Sequence, residues 1–333
     1  MKAFILNRYG KKEKLHLSSI AEPTVGQKDV LIQIYASSIN LLDSKIKGGE
    51  FKMFLPYKPP FTLGHDVAGV VVKIGAGVKQ FKIGDEVYAR PSDHRIGTFA
   101  EYISMNENDV AIKPKNSTME EAASIPLVGL TAWQALVEKA NLKKGQKVFI
   151  QAGSGGVGTF AIQLAKHLGA TVATTTSTAN ISLVKSLGAD IVIDYKKEDF
   201  EHKLKDYDVV LNSQDSKTLD KSLRVLKTGG MLISISGPPD PHFGEEIKAS
   251  WFLKLIFKII SSSVRKKAEQ LKVNFSFLFM KANGSQLAEI TNLINSGVIR
   301  PVIDKIVPFE QTNEALSYVE TGRAKGKVVI KVK

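Results

Sequence analysis

Residues 147–158 read KVFIQAGSGGVG. An apolar, β-branched run, Lys147–Ala152, ends in a glycine-rich turn, Gly153-Ser154-Gly155-Gly156-Val157-Gly158, and a helical pattern over 156–168 follows. Gly153, Gly155 and Gly158 satisfy the spacing G-x-G-x-x-G. Glycines there allow a tight turn and let the backbone approach a pyrophosphate, which rests on the positive end of the following helix. The pattern alone is common. Its setting between a strand and a helix is what gives it weight.

Downstream the alternation repeats. Strand-like runs at Thr171–Thr176, Ile191–Tyr195, Asp208–Ser213 and Met231–Ser236 are separated by helical patterns near 179–187, 198–204 and 216–227. Strands alternating with helices predict βαβ units and a doubly wound parallel sheet. Upstream the character differs: Val30–Tyr35, Val67–Ile74, Glu86–Ala89 and Phe99–Ser104 are short alternating runs broken by Gly, Pro and Asp. They predict a compact, mostly β unit. A helix over Ser285–Ser296 and strands at Arg300–Val307 and Lys327–Lys333 complete the chain. The fold class is therefore α/β, a mostly-β domain joined to a doubly wound cofactor domain.

The chain has 333 residues, 43% hydrophobic and 24% charged, which excludes collagen-like, coiled-coil and wholly disordered classes. It has no cysteine, so disulfides and thiolate-ligated zinc or iron–sulfur centres are excluded. The net charge of +13 favours anionic partners such as phosphorylated cofactors. The start, MKAFIL, has too short an apolar core for a signal peptide, and a cytoplasmic protein is expected.

The second strand discriminates between cofactors. An NAD site usually carries Asp or Glu about 20 residues after the first glycine, to bond the ribose 2′-hydroxyl. Here Thr174 to Asn180 reads TTTSTAN, with no acid. Thr176, Ser177 and Asn180 can donate to a 2′-phosphate that a carboxylate would repel, with Lys185 and Lys196 as candidate cationic helpers. NADP(H) is the expected cofactor, bound by these residues and by Gly153, Ser154, Gly155, Gly156, Val157 and Gly158. Doubly wound sheets bind ligands at the carboxyl ends of their strands. That adds Tyr195, Asn212, Ser213, Ser236 and Gly237 as contacts.

Further stretches carry a family likeness: SINLLD at 38–43, GHDVAG at 64–69, GDEVY at 84–88, IPLVGLTA at 125–132, KSLGAD at 185–190, LRVLKTGG at 223–230 and GKVVIKV at 326–332. Together with the glycine turn they resemble, nearly end to end, the zinc-independent quinone oxidoreductase and enone reductase branch of the medium-chain dehydrogenase/reductase superfamily. The resemblance implies a GroES-like catalytic domain from 1–120 and 282–333, a Rossmann domain from 121–281, and an active site in the cleft between them. It places Asn40 beside the nicotinamide ribose and Thr131 near the nicotinamide and pyrophosphate, with Phe279, Met280 and Lys327 near the nicotinamide end. Many relatives have lysine where this chain has Asn180. A homodimer joined through the Rossmann sheet edge near Phe275–Met280 is also implied.

In zinc-dependent relatives a cysteine stands at the position of Asn40, a histidine at His65 and a third ligand near Leu127. One imidazole cannot hold zinc, so none is expected. Without a Lewis acid, a conjugated carbonyl or quinone is an easier hydride acceptor than a plain ketone, because charge develops on a remote oxygen. The expected activity is NADPH-dependent hydride transfer to such a substrate, with Asn40 and Thr131 at the catalytic centre. For the α-carbon proton only Tyr57 or water offers itself, since Phe51 stands near where relatives carry tyrosine. Asp43 is expected to brace its loop and His65 to make a structural hydrogen bond.

The alternative is a non-catalytic dinucleotide-binding scaffold, crystallin-like or RNA-binding. No single-strand stacking platform is evident, so no specific nucleic acid is expected. Trp251–Ile260 reads WFLKLIFKII, and 251–281 holds seven basic residues against one acid. Three readings stand: a helix packed over the sheet with solvated lysines, peripheral contact with an anionic membrane through 251–272, or capture of long acyl substrates.

Overall fold

The structure, a computed structural model, describes residues 1–333 and divides the chain into two compact units. One comprises Met1–Leu130 and Lys281–Lys333, the other Thr131–Met280. The first boundary falls at Leu130 rather than at residue 120. The reason is the short helix Met119–Ala123: its Ala122 and Ala123 are fully buried, and Glu120 pairs with Lys331 of the first unit. Leu127 then donates its backbone amide to Asp66, 2.7 Å away.

The first unit is built on a seven-stranded sheet and a three-stranded one. Its spine is the long strand Asp29–Ile39, paired antiparallel with Asp66–Ile74, Tyr102–Asn106 and Lys327–Lys331. Val30, Ile32 and Ile34 alternate inward along it to meet Val67, Val71, Val87 and Met105 in one core, as period-two patterning requires. Two registers build the wall of the candidate site: Ser38 lies opposite Asp66, and Ile39 opposite Val328.

The second unit carries six parallel strands: Lys147–Ile150, Thr171–Thr176, Ile191–Asp194, Tyr207–Asn212, Leu226–Ser234 and Asn274–Phe277. Numbered along the unit, their spatial order is 3-2-1-4-5-6, so the order reverses between the first and fourth. That is the Rossmann arrangement, with its ligand crevice at the reversal. The sixth strand, expected only as the sheet edge that the resemblance implies near Phe275–Met280, is short and only half-apolar (NFSF). The helix expected over 198–204 is only a single tight turn, Phe200–His202. Phe200 is drawn into the core against Phe149, ring centres 4.9 Å apart, and Asp199 caps the turn through the Glu201 amide. No helix is long and apolar enough to cross a membrane.

Candidate active site

In the second unit the glycine turn leaves the first strand through Ala152, whose φ of +51° bends the chain sharply into the loop. The helix Gly156–His167 begins there with Gly155 at its N-cap, a residue with no side chain to occupy the helix end. A Cβ on Gly153 would lie 2.2 Å from the Thr174 hydroxyl oxygen, and one on Gly158 2.3 Å from the Ala152 carbonyl oxygen. Both positions are closed to any side chain. At Gly155 the nearest atom would be 3.3 Å away, so that glycine serves approach from outside.

Over this turn the end of the second strand contributes a hydroxyl and amide cluster. Thr176 Oγ1 donates to Ser154 Oγ at 3.0 Å, and Asn180 Nδ2 donates to Ser154 Oγ at 3.2 Å and Ser177 Oγ at 3.3 Å. Asn180 Oδ1 is buried without a partner, an unspent acceptor at the edge of the cluster. The nearby acid, Asp194, is taken up by the Thr178 hydroxyl and the Lys196 amide, and the Thr178 bond, ahead of opposing burial, holds its carboxyl below the usual range. Tyr195 is exposed and donates its backbone amide to Thr176 O at 3.1 Å, which places it beside the cluster. Ser154, Thr176, Ser177, Asn180 and Tyr195 thus gather where the sequence pattern anticipates the adenosine end of a dinucleotide.

The other expected contacts are differently employed. Asn212 ends the fourth strand, but its side chain turns inward, donating to Gln151 Oε1 and accepting from Ser234 Oγ, both at 2.7 Å. In this way it ties three strand ends together. Ser236 Oγ bonds Gln214 O at 2.6 Å, and the Gly237 amide bonds Ser234 Oγ at 2.8 Å, which shapes the fifth strand's exit. Gly156 and Val157 are half-buried in the first helical turn. Thr131 is buried on the helix Pro126–Trp133, Phe279 sits against Phe243, and Met280 is buried.

In the first unit a buried polar cluster surrounds Asn40. Its Nδ2 donates to Asp66 Oδ2 at 2.8 Å, and its Oδ1 accepts from Lys327 Nζ at 2.5 Å. Lys327 Nζ also reaches Ile39 O at 2.9 Å and Asp66 Oδ2 at 3.2 Å. An ammonium has three protons, and all three are spent here. Lys327 thus holds the Asn40 side chain in place through its oxygen. Asp66 collects further donors from Ser38 Oγ and the Leu127 amide, both at 2.7 Å. The sequence motif GHDVAG contains Asp66, yet no role was expected of it. The signal was present: an acid inside an apolar strand, Asp66–Ile74, needs buried partners.

Asp43 and His65 complete this wall. Asp43 Oδ2 accepts the Asn40 backbone amide at 2.7 Å and Oδ1 meets His65 Nδ1 at 2.6 Å, both side chains fully buried. Asp43 braces the loop as expected of it. Tyr57 does not present an acidic proton: its hydroxyl donates to the Asp93 carbonyl, and burial, with Asp93 nearby, pushes its pKa far up.

Family comparisons agree with both units. Residues 26–115 match the alcohol dehydrogenase GroES-like domain, and residues 187–330 match the zinc-binding dehydrogenase family. The chain is 39% identical to the 2-methylene-furan-3-one reductase of Solanum lycopersicum, over 99% of this chain and 79% of that protein. It is 37% identical, with the same coverage, to the chloroplastic NADPH-dependent alkenal/one oxidoreductase of Arabidopsis thaliana. Among solved structures, the quinone oxidoreductase from Coxiella burnetii superposes with a TM-score of 0.87 at 31% identity, covering 100% of this chain and 99% of that one. The zinc in one family description finds no matching donors here. No three His, Cys, Asp or Glu side chains converge, and where a thiolate would be needed stands Asn40, already bound to Asp66 and Lys327. With a GroES-like domain and a Rossmann domain in one chain, and relatives of this identity along its whole length, the protein belongs to the medium-chain dehydrogenase/reductase superfamily, in the branch of its enone and quinone oxidoreductases.

Proposed function

We propose that this protein is an NADPH-dependent reductase of α,β-unsaturated ketones or aldehydes, working without zinc. The observation that carries the cofactor preference is the acid-free cluster of Ser154, Thr176, Ser177 and Asn180 above the glycine turn. A carboxylate there would repel a 2′-phosphate, whereas the Ser154 and Ser177 hydroxyls, which act as acceptors within the cluster, keep their protons to donate to it. The Gly153 to Gly158 turn receives the pyrophosphate at the N-terminus of its helix. The names of the tomato and Arabidopsis relatives support a conjugated carbonyl as substrate.

When bound, NADPH supplies the hydride that adds to the β-carbon of such a substrate. This chain's own residues hold and orient. Asn40 has both amide protons directed at Asp66 and the Ser38 carbonyl, so it has no donor left for a developing oxyanion. Its Oδ1 keeps one lone pair beyond the Lys327 bond, and that can accept from a ribose hydroxyl. Asn40 therefore positions the nicotinamide ribose. Tyr57 is left out of the machinery, and water is the source of the α-carbon proton.

The test is NADPH and NADH oxidation followed in parallel with a short alkenal, a long-chain enone and a naphthoquinone, with and without chelator. Turnover of the enones with NADPH, indifferent to chelator, is expected. Turnover of the quinone alone would move the assignment to quinone reduction. Tight NADPH binding without any turnover would favour a non-catalytic scaffold, and no binding of either nucleotide would sink the proposal.

A further inference from the structure

The helix Trp251–Ile260 is turned inside out. A helix packed on a sheet buries its apolar stripe and exposes its charges. Here Phe257 is the anchor, seated against Phe243 with ring centres 5.7 Å apart. The opposite side is apolar and open: Trp251 is 77% exposed, Phe252 58%, Ile259 61%, and Leu255 and Ile260 are close to half-exposed. Phe252, Leu255, Ile256 and Ile259 recur at the three- and four-residue spacing of a single helix face. Of the readings left open by the sequence, the packed helix is thus excluded for this face.

The surroundings are basic. Lys254, Lys258, Lys266 and Lys272 form no ion pair, and Lys258, Lys266 and Lys272 are exposed. Arg265 fixes the junction with the next helix, donating to Ser261 Oγ at 3.1 Å and Lys258 O at 3.0 Å. Between 251 and 281 the only acid is Glu269. A second copy of the chain suits this face poorly, because a self-complementary contact would bring the unpaired lysines together. One ten-residue helix, about 15 Å long, also falls well short of the ~800 Å² per partner that a stable interface buries.

We propose that Trp251–Ile260 is a membrane-docking helix, which lays Trp251, Phe252, Leu255 and Ile259 into the surface of an anionic bilayer while Lys258, Lys266 and Lys272 meet lipid phosphates. Apolar insertion plus charge attraction is the physics of interfacial helices, and tryptophan suits the headgroup boundary. Contact of this size is reversible. The consequence is that the enzyme works at a lipid surface, where apolar conjugated carbonyls partition.

The probe is vesicle flotation of the full chain, with phosphatidylcholine alone and with phosphatidylcholine mixed with phosphatidylglycerol. The wild type is expected to float with the anionic vesicles at low salt and to stay down with the neutral ones. Lys258→Glu should weaken partitioning roughly fivefold or more, and Phe252→Glu with Ile259→Glu roughly a hundredfold. Both replaced residues of the double variant are exposed, so its thermal melt and its turnover of a soluble enone in solution should match the wild type. Failure of the wild type to float with anionic vesicles overturns the proposal. So does equal flotation of the double variant. If instead the double variant converts a dimer to a monomer on size exclusion, with no lipid binding by the wild type, the face belongs to a second copy and the proposal falls.

Discussion

Replacing Lys327 by methionine removes a buried charge and keeps most of the alkyl stem. Three bonds disappear, to Asn40 Oδ1, Ile39 O and Asp66 Oδ2. Asp66 keeps three neutral donors in Ser38, Asn40 and the Leu127 amide. Its charge is therefore solvated, though no longer balanced. Breaking a buried pair from one side costs about 3–5 kcal/mol, and the remaining donors place the expected loss near the lower end, about 3 kcal/mol. Adding Asp66→Asn removes the stranded charge and should recover about 1–2 kcal/mol, so the double variant is more stable than Lys327→Met alone. Asn40 loses the anchor of its oxygen, and kcat/KM with NADPH and an enone should fall at least about tenfold, or ~1.4 kcal/mol in the barrier. Urea unfolding and steady-state kinetics on the four proteins of the cycle read both quantities. Additive stabilities within about 0.5 kcal/mol would refute the coupling. Unchanged stability with only a raised KM for NADPH would mean that the ammonium meets the cofactor itself.

The same geometry sets three further outcomes. Gly158→Ala drives a Cβ into the Ala152 carbonyl and should weaken NADPH binding more than about tenfold in a fluorescence titration, whereas Gly155→Ala should cost much less. Tyr57→Phe forfeits the bond to the Asp93 carbonyl, so about 1 kcal/mol of stability should go while kcat and its pH profile stay put; a collapsed kcat would restore the tyrosine as acid. The Arg95 guanidinium bonds both oxygens of Asp29, at 2.8 and 2.7 Å, and holds that carboxyl below its usual range against the opposing effect of burial. A depressed folded-state pKa contributes stability above the unfolded value of about 4, lost as pH falls through the folded one. The gap between wild type and Arg95→Ala, about 1 kcal/mol given that Arg95 is partly exposed, should therefore be flat near neutrality and shrink in acid.

The Rossmann unit was legible because each of its parts is local. A strand, a glycine turn and a helix sit within residues 147–167, and the first five strands appear where apolar β-branched runs predict them. The sixth strand, NFSF, gave no signal of its own because four residues, only two of them apolar, carry little periodicity. The expected helix over 198–204 failed because burial of Phe200 outweighed helical propensity in a segment too short to nucleate.

By itself, the sequence determined the two-domain class, the glycine turn and the absence of an acid at the end of the second strand, all of which are written in neighbouring residues. Tertiary structure decided the rest. Asp66 and Lys327 are 261 positions apart and meet only because antiparallel registers set Ser38 opposite Asp66 and Ile39 opposite Val328. That pairing makes Lys327 the anchor of the Asn40 side chain. The spacing in WFLKLIFKII likewise defines an apolar face but not its direction, because amphipathicity is a property of the helix alone. The choice of Phe257 as the inward anchor is made by what lies beneath it, and it leaves Phe252 and Ile259 facing outward.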